Sequence, residues 1–204
     1  RLVDQRQKNT YWNTDNQGRL SSKVDHLGQT VMILGYDAES RVISRWTPAR
    51  GTTYFSYDAY GNLTTINYPN DPDVSFTYDT VNRLSTLSDG TGLTQFSYTS
   101  SGELASEDGP WAEDVIGYGY DMNGRASSMT LSQPSGTDWI HTYQYDQRGR
   151  LMSLATPVGT YDYHYAAGQS TVDQLSSLLA SVTMPGGWID YDYESRGLLS
   201  TIEF

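Results

Sequence analysis

The chain has 204 residues, no cysteine, 13 Lys and Arg against 24 Asp and Glu, and a net charge of −11. Disulfides, thiolate zinc sites and cysteine nucleophiles are therefore excluded, no apolar run approaches the roughly 18 residues of a spanning helix, and without a Lys/Arg run the surface is a poor partner for nucleic acid. Leu, Ile, Val and Phe make up only about 19% of the residues, but 17 Tyr and five Trp join them, a composition that suits a sheet.

In chain order the same seven-residue phrase keeps returning. It reads TDNQGRL from Thr14, YDAESRV from Tyr36, YDAYGNL from Tyr57, YDTVNRL from Tyr78 and YTSSGEL from Tyr98. It continues as YDMNGRA from Tyr120, YDQRGRL from Tyr145, a degraded YAAGQST from Tyr165 and YESRGLL from Tyr193. The spacings are 22, 21, 21, 20, 22, 25, 20 and 28 residues, so the chain is a tandem array with a period near 21. Its nine copies fill residues 1–204 as one domain, with no separate catalytic domain.

Each copy predicts one β-hairpin. The residues ahead of the motif alternate, as in Val74/Phe76/Tyr78 and Ile189/Tyr191/Tyr193, which marks a strand with one apolar face. The position two before the motif tyrosine is large in every copy, from Trp12 and Leu34 to Tyr163 and Tyr191. The aspartate (Asp37, Asp58, Asp79, Asp121, Asp146) opens a turn, because its carboxylate accepts backbone N–H groups ahead of it. The glycine three residues on (Gly61, Gly102, Gly124, Gly149, Gly197) suits the left-handed position of a type I turn with a G1 bulge. Asn82 is the expected substitute there and Ser40 a less comfortable one. Arg-Leu then opens the return strand. The opposite hairpin ends, such as Pro69–Pro72, Asp89–Gly92 and Met184–Gly187, vary in length and sequence. Residues 167–180 interrupt the degraded copy and read as an insertion, with a single helical turn at most.

The recurrent Tyr-Asp-x-x-Gly-Arg-Leu closely resembles the YD-repeat, or Rhs-repeat, family over almost the whole chain, from Asn9 to Phe204. That family includes bacterial Rhs toxins, wall-associated proteins, toxin-complex C components and teneurins. The resemblance implies an all-β sheet of stacked hairpins that curves and spirals into a hollow shell. In the bacterial toxins the shell encloses an effector, and in teneurins it serves adhesion. No counterpart of the Asp-Pro self-cleavage core, of an effector or of a plug is present, so that activity is not carried over.

Candidate chemistry is sparse. Asp190, Asp192 and Glu194 alternate on one strand at a spacing an inverting glycosidase could use, but a solvated strand face explains them better. Asp162 and His164 share a face near Ser170, without a nucleophile elbow or an oxyanion hole. His141 lies among Trp139 and Tyr143 as a packed, hydrogen-bonded residue, and His26 stands alone near a turn. Asn13, Asp15 and Gln17 before Gly18 only loosely match a calcium loop, since Val24 stands where Glu is required. Gly117-Tyr118-Gly119 fails as a dinucleotide fingerprint because Met122 takes the third glycine position.

The expectation is a non-enzymatic scaffold without cofactor or metal, in which Tyr36, Tyr57, Tyr78, Tyr98, Tyr120, Tyr145 and Tyr193 and their Asp and Gly partners set register. Its partners would be flanking repeats or other copies of itself, together with an enclosed toxin polypeptide, in a secreted or cell-surface bacterial protein. The chain opens at Arg1 without Met, which reads as a piece of something longer. The alternative is an adhesion or carbohydrate-binding module that uses Trp111 and Trp188, both placed in the variable turns.

Overall fold

A computed structural model of the chain describes residues 2–3, 9–165, 178–194 and 199–204. These residues form two compact units, 1–96 and 97–204. The first holds β1 (Leu2–Val3), β2 (Asn9–Thr14), β3 (Leu20–Val24), β4 (Thr30–Tyr36), β5 (Val42–Thr47), β6 (Gly51–Tyr57), β7 (Leu63–Asn67), β8 (Val74–Tyr78) and β9 (Leu84–Asp89). β10 (Gly92–Tyr98) carries the chain into the second unit. There follow β11 (Leu104–Asp108), β12 (Ile116–Tyr120), β13 (Ala126–Leu131), β14 (Trp139–Tyr145), β15 (Leu151–Thr156), β16 (Gly159–Tyr165), β17 (Leu179–Met184), β18 (Gly187–Tyr193) and β19 (Leu199–Glu203). The fold is all-β: every ladder within a unit is antiparallel and joins consecutive strands.

The motif turn follows each even-numbered strand, so within each unit the described motif turns share one edge of the meander. Two backbone bonds close it. In the third copy Asp58 N–H donates to the Asn62 carbonyl at 3.0 Å and Gly61 N–H to the Asp58 carbonyl at 3.1 Å. The same pair recurs at Asp15, Asp37, Asp79, Thr99, Asp121 and Asp146, at 2.8–3.2 Å. All seven prolines lie in the other connections, those that follow odd-numbered strands. The motif turn excludes proline where its N–H groups donate.

A bulge accompanies the motif edge in the β2–β3, β4–β5, β6–β7, β8–β9, β12–β13, β14–β15, β16–β17 and β18–β19 ladders. Tyr57 opposes Leu63 and Phe55 opposes Ile66, with the register shift between Ser56 and Tyr57. Two residues of the partner strand oppose one here. That is why Leu63 and Ile66, three apart, face the same side as Phe55 and Tyr57. The degraded copy keeps the pattern: Tyr165 opposes Leu179, fourteen residues on, with the shift between His164 and Tyr165. The inserted stretch therefore ends earlier than the sequence suggested, since Leu179 and Ala180 already belong to β17. A strand that regains the Tyr–Leu register satisfies its backbone against β16. Of the stretch 167–180 expected to hold a helical turn, residues 167–177 lie outside those described.

Within each unit a strand touches only the strands before and after it. Among the described residues of each unit, no second layer covers the sheet. Among the described residues only Val182 and Thr53 are buried, and no large side chain is fully buried. One face carries the motif tyrosines and the large residues two before them. The other carries small polar cross-strand pairs: Asn13 with Ser22 at 2.9 Å, Thr77 with Thr86 at 2.6 Å and Ser153 with Asp162 at 2.8 Å. Such cross-strand pairs supply what a core would otherwise supply, each about 0.2–1 kcal/mol.

The left-handed position of the turn is occupied at φ 89° by Gly61, 63° by Asn82 and 65° by Ser40. A branched side chain there meets its own backbone, at about 1–2 kcal/mol. Gly61→Val should therefore lower the urea midpoint clearly more than Gly61→Asn, which keeps a residue that tolerates the conformation. Equal midpoints would refute the turn assignment.

Candidate functional site

The repeated residues meet in an interlocking clasp at the motif edge, and each clasp reaches from one repeat into the next. In the second copy, one carboxylate oxygen of Asp37 (Oδ1) accepts the Arg41 N–H at 2.8 Å, which steadies its own turn. The other (Oδ2) accepts Arg41 Nε at 2.7 Å and holds the guanidinium. That guanidinium lies 4.9 Å from the centre of the Tyr57 ring, in the following copy, and its Nη1 donates to the Asp58 carbonyl at 3.5 Å. The circuit closes when the Tyr57 hydroxyl donates back to the Val42 carbonyl at 2.8 Å.

The circuit repeats along the chain. Arg19 sits 4.5 Å over Tyr36 and donates to the Asp37 carbonyl at 3.3 Å, while the Tyr36 hydroxyl donates to the Leu20 carbonyl at 2.7 Å. In the second unit Arg125 lies 4.5 Å over Tyr145 and Arg150 lies 4.2 Å over Tyr165. The hydroxyls of Tyr78, Tyr120, Tyr165 and Tyr193 donate to the carbonyls of Leu63, Leu104, Leu151 and Leu179 at 2.8–2.9 Å. Tyr98 ends β10 ahead of the Thr99 turn, which Gly102 closes, and Gly149 closes the turn of Asp146. Gly197 lies outside the described residues.

Among the turns described in full, two copies depart from the pattern. Asn62 replaces the arginine, donates to Asp58 at 3.0 Å and reaches the next copy through Asn82 at 3.1 Å. In the fifth copy Thr99 replaces the aspartate and donates to Glu103, which stands where arginine would. The Thr99 hydroxyl also accepts the Gly102 and Glu103 N–H groups at 3.2 Å.

Sequence reasoning singled out Tyr, Asp, Gly and Leu but treated the arginine only as the start of a strand. Arg19, Arg41, Arg83, Arg125 and Arg150 recur at one motif position, and that recurrence was the available signal. It also passed over Asp25, whose VDHLGQ segment makes the same turn between β3 and β4, at the opposite end.

The motif-turn aspartates Asp15, Asp37, Asp58, Asp79, Asp121 and Asp146 are held below their ordinary value of 3.8. At Asp121 the Arg125 side chain is the main cause, followed by its backbone N–H. At Asp79 the Arg83 backbone N–H leads. At Asp37 partial desolvation pushes upward, but the side-chain and backbone bonds from Arg41 together outweigh it.

The alternative clusters stay apart from any site. Asp190 and Asp192 share the exposed face of β18, where Glu203 directly opposes Asp190. Asp162 accepts the Ser153 hydroxyl, His164 opposes Ser181, and Ser170 lies outside the described residues. His141 Nε2 accepts the Trp139 indole N–H at 2.9 Å, so this histidine is packed and bonded as expected. Asp15, with Asn13 and Gln17, belongs to the first motif turn, its carboxylate taken by Arg19. Trp111 lies in the connection between β11 and β12, 67% exposed. Trp188, expected in a turn, is instead the second residue of β18. The connection is only Pro185–Gly186, so the strand begins at once.

Tandem β-hairpins joined by an Asp–Arg–Tyr clasp define a YD-repeat protein. The chain belongs to the teneurin YD-shell family, whose sequence profile matches residues 14–184. No curated protein sequence matches it. Among solved structures it is similar to the TcdB2–TccC3 complex with Cdc42 (TM-score 0.73, 14% identity, 96% of this chain and 12% of that one). TcdB2–TccC3 alone gives a TM-score of 0.73 at 13% identity, with the same coverage. The Photorhabdus luminescens Tc holotoxin pore gives 0.64 at 16% identity, with 96% of this chain and 12% of that one covered. At these identities the likeness shows the fold, and the chain spans about an eighth of the solved chains' length.

Two measurements test the clasp. Tyr57→Phe removes a donor from a paired carbonyl and should cost about 0.5–1.5 kcal/mol. Tyr54→Phe, three residues away on the other face, should cost almost nothing. Equal losses in urea unfolding would remove the hydroxyl from the argument. Stability should also fall in acid. Carboxyls held below 3.8 when folded contribute fully above that value and lose their contribution as pH falls through the folded values. The urea midpoint is therefore expected to hold from about pH 7 to about pH 5 and to fall below about pH 4. A flat profile to pH 3 would contradict the shifts.

Proposed function

We propose that the chain is a non-enzymatic wall segment of a longer YD-repeat shell, and that the shell encloses a polypeptide cargo, a toxin in a secreted or cell-surface bacterial protein. The single observation that carries this reading is the pairing of a strong repeat-to-repeat clasp with a sheet that, among the described residues of each unit, no second layer covers. A domain built to stand alone buries its apolar face. Here the large described residues of both units stay half-buried or exposed, and stability runs along the array from neighbour to neighbour. The array is taken as continuous through residues 1–204, its motif Tyr, Asp, Gly and Arg setting register. The family membership supports a shell or scaffold role. Flanking repeats and the enclosed polypeptide are the partners this role requires, and no cofactor enters it. Among the described residues no helix is long and apolar enough to cross a membrane.

The reading gives two expectations. The purified 204-residue chain should self-associate and bind a hydrophobic dye, because its faces and outer strands lack their neighbours. Size-exclusion chromatography with light scattering decides this. A dye-silent monomer at tens of micromolar would mean a self-closed domain and would overturn the wall reading. In the full open reading frame, a downstream variable domain should resist protease until the repeats are unfolded. Cleavage at the rate of the free domain would remove the enclosure.

A further inference from the structure

We propose that the motif-tyrosine face of unit 1 carries a docking site for an extended, acidic segment of polypeptide, with Lys23 and Arg45 as its cationic poles and Met32 and Leu34 as the floor between them. The ladders fix the arrangement. Lys23 opposes Trp12 on one side and Met32 on the other. Arg45 opposes Leu34 on one side and Thr53 on the other. Met32 and Leu34 are two apart on β4, so these residues share one face.

Pairing sets these two cations apart. The motif arginines Arg19, Arg41, Arg83, Arg125 and Arg150 each close on a turn aspartate at 2.6–2.7 Å. Lys23 and Arg45 have no carboxylate partner among the described residues. Lys23 Nζ lies 4.9 Å from the centre of the Trp12 ring. The Arg45 side chain is exposed and makes no hydrogen bond, ion pair or ring contact with a described residue. Of the residues that the β2–β9 ladders place on this face, Lys23 and Arg45 are the only charged ones. A chain with 24 Asp and Glu against 13 Lys and Arg thus leaves an unmatched positive field on an aromatic and aliphatic surface. Trp12 is 45% exposed, and Met32 and Leu34 are half-buried, so the floor is open to a partner.

Spacing selects the occupant. Lys23 and Arg45 stand two strands and one two-residue step apart, about 12 Å between Cα atoms. In an extended segment the side chains at i, i+2 and i+4 face one way, and i to i+4 spans about 13 Å. A segment that reads acidic, any, apolar, any, acidic therefore sets a carboxylate on each pole and an apolar side chain on Met32 and Leu34. The guanidinium takes its carboxylate in a charge-assisted, two-point contact, and the ammonium takes the other as a point charge. Burial on the floor adds a gain that a bare inorganic anion does not use. A second copy does not offer this pattern on β18, since its Asp190 and Asp192 alternate with no apolar residue between them on their face.

The proposal rests on the wall reading for its partner, the enclosed polypeptide, and names that partner's chemistry. The test is fluorescence anisotropy of short peptides carrying an uncharged dye, titrated with the 204-residue chain. Three are compared: Glu-Thr-Leu-Thr-Glu between neutral flanks, and the same peptide with Gln or with Lys in place of Glu. The acidic peptide is expected to bind, more weakly as salt rises from about 50 to about 500 mM, and the other two are not. Arg45→Gln and Lys23→Gln should each weaken binding about tenfold. Arg148→Gln, which removes an exposed cation from unit 2, should leave it unchanged. Lys23→Glu combined with Arg45→Glu should instead select the basic peptide, a gain that loss of folding cannot mimic. Equal binding of the acidic and neutral peptides, equal effects of Arg45→Gln and Arg148→Gln, or capture of phosphatidylglycerol vesicles without the acidic peptide overturns the proposal. Absence of peptide binding in a chain that still self-associates and binds the hydrophobic dye overturns it alone and leaves the wall reading standing.

Discussion

The arginine of one repeat, clamped by its own turn aspartate and laid flat on the tyrosine of the next, is the contact on which the sheet depends. An open sheet gains little from a core, so it must be stabilised at each junction. Aspartate is suited to this because its two oxygens separate the tasks: one closes the turn and the other orients the guanidinium. Arginine is suited because a planar, delocalised cation can accept that grip at one edge while its face rests on an aromatic ring. Lysine offers no such plane. Tyrosine completes the set, since phenylalanine would supply the ring but not the donor to the preceding repeat's carbonyl.

The departures follow the same logic. Where Asn62 replaces the arginine, a shorter amide still bridges to the next turn through Asn82, and that turn supplies asparagine rather than glycine. Thr99 and Glu103 exchange donor for acceptor yet keep the turn's own bonds. The acidity of the chain has the same origin. Six of its aspartates sit in the motif turns, each already committed to backbone N–H groups and five of them to arginine, so the net charge of −11 does not demand a cationic ligand.

Consistent side-chain pairing on one edge leaves the faces to differ. Unit 2 exposes carboxylates at Asp190, Asp192 and Glu203, while the residues that the β2–β9 ladders place on the corresponding face of unit 1 are uncharged and include Trp46 and Tyr54. A scaffold can vary in this way because strand faces do not enter the clasp. The wall and any surface function are thus encoded at separate positions of the same repeat.

Period and turn chemistry were legible in the sequence because they are local. A tyrosine, an aspartate and a glycine at fixed offsets dictate a strand, a turn acceptor and a left-handed residue, whatever surrounds them. The all-β class and the shared edge of the described motif turns within each unit follow from that phase. What lay beyond the sequence was everything that joins residues about 15 to 20 apart. Arg41 reads as an ordinary strand-opening residue until the ladder brings Tyr57 beneath it. The end of the insertion at Leu179 was fixed by the register with Tyr165, not by composition. Lys23 and Arg45 have no motif at all, and only their pairing on either side of β4 brings them to one patch. The sequence determined the turn within each repeat, because backbone conformation answers to adjacent residues. The tertiary structure alone decided what one repeat offers the next, because ladder register is settled between strands.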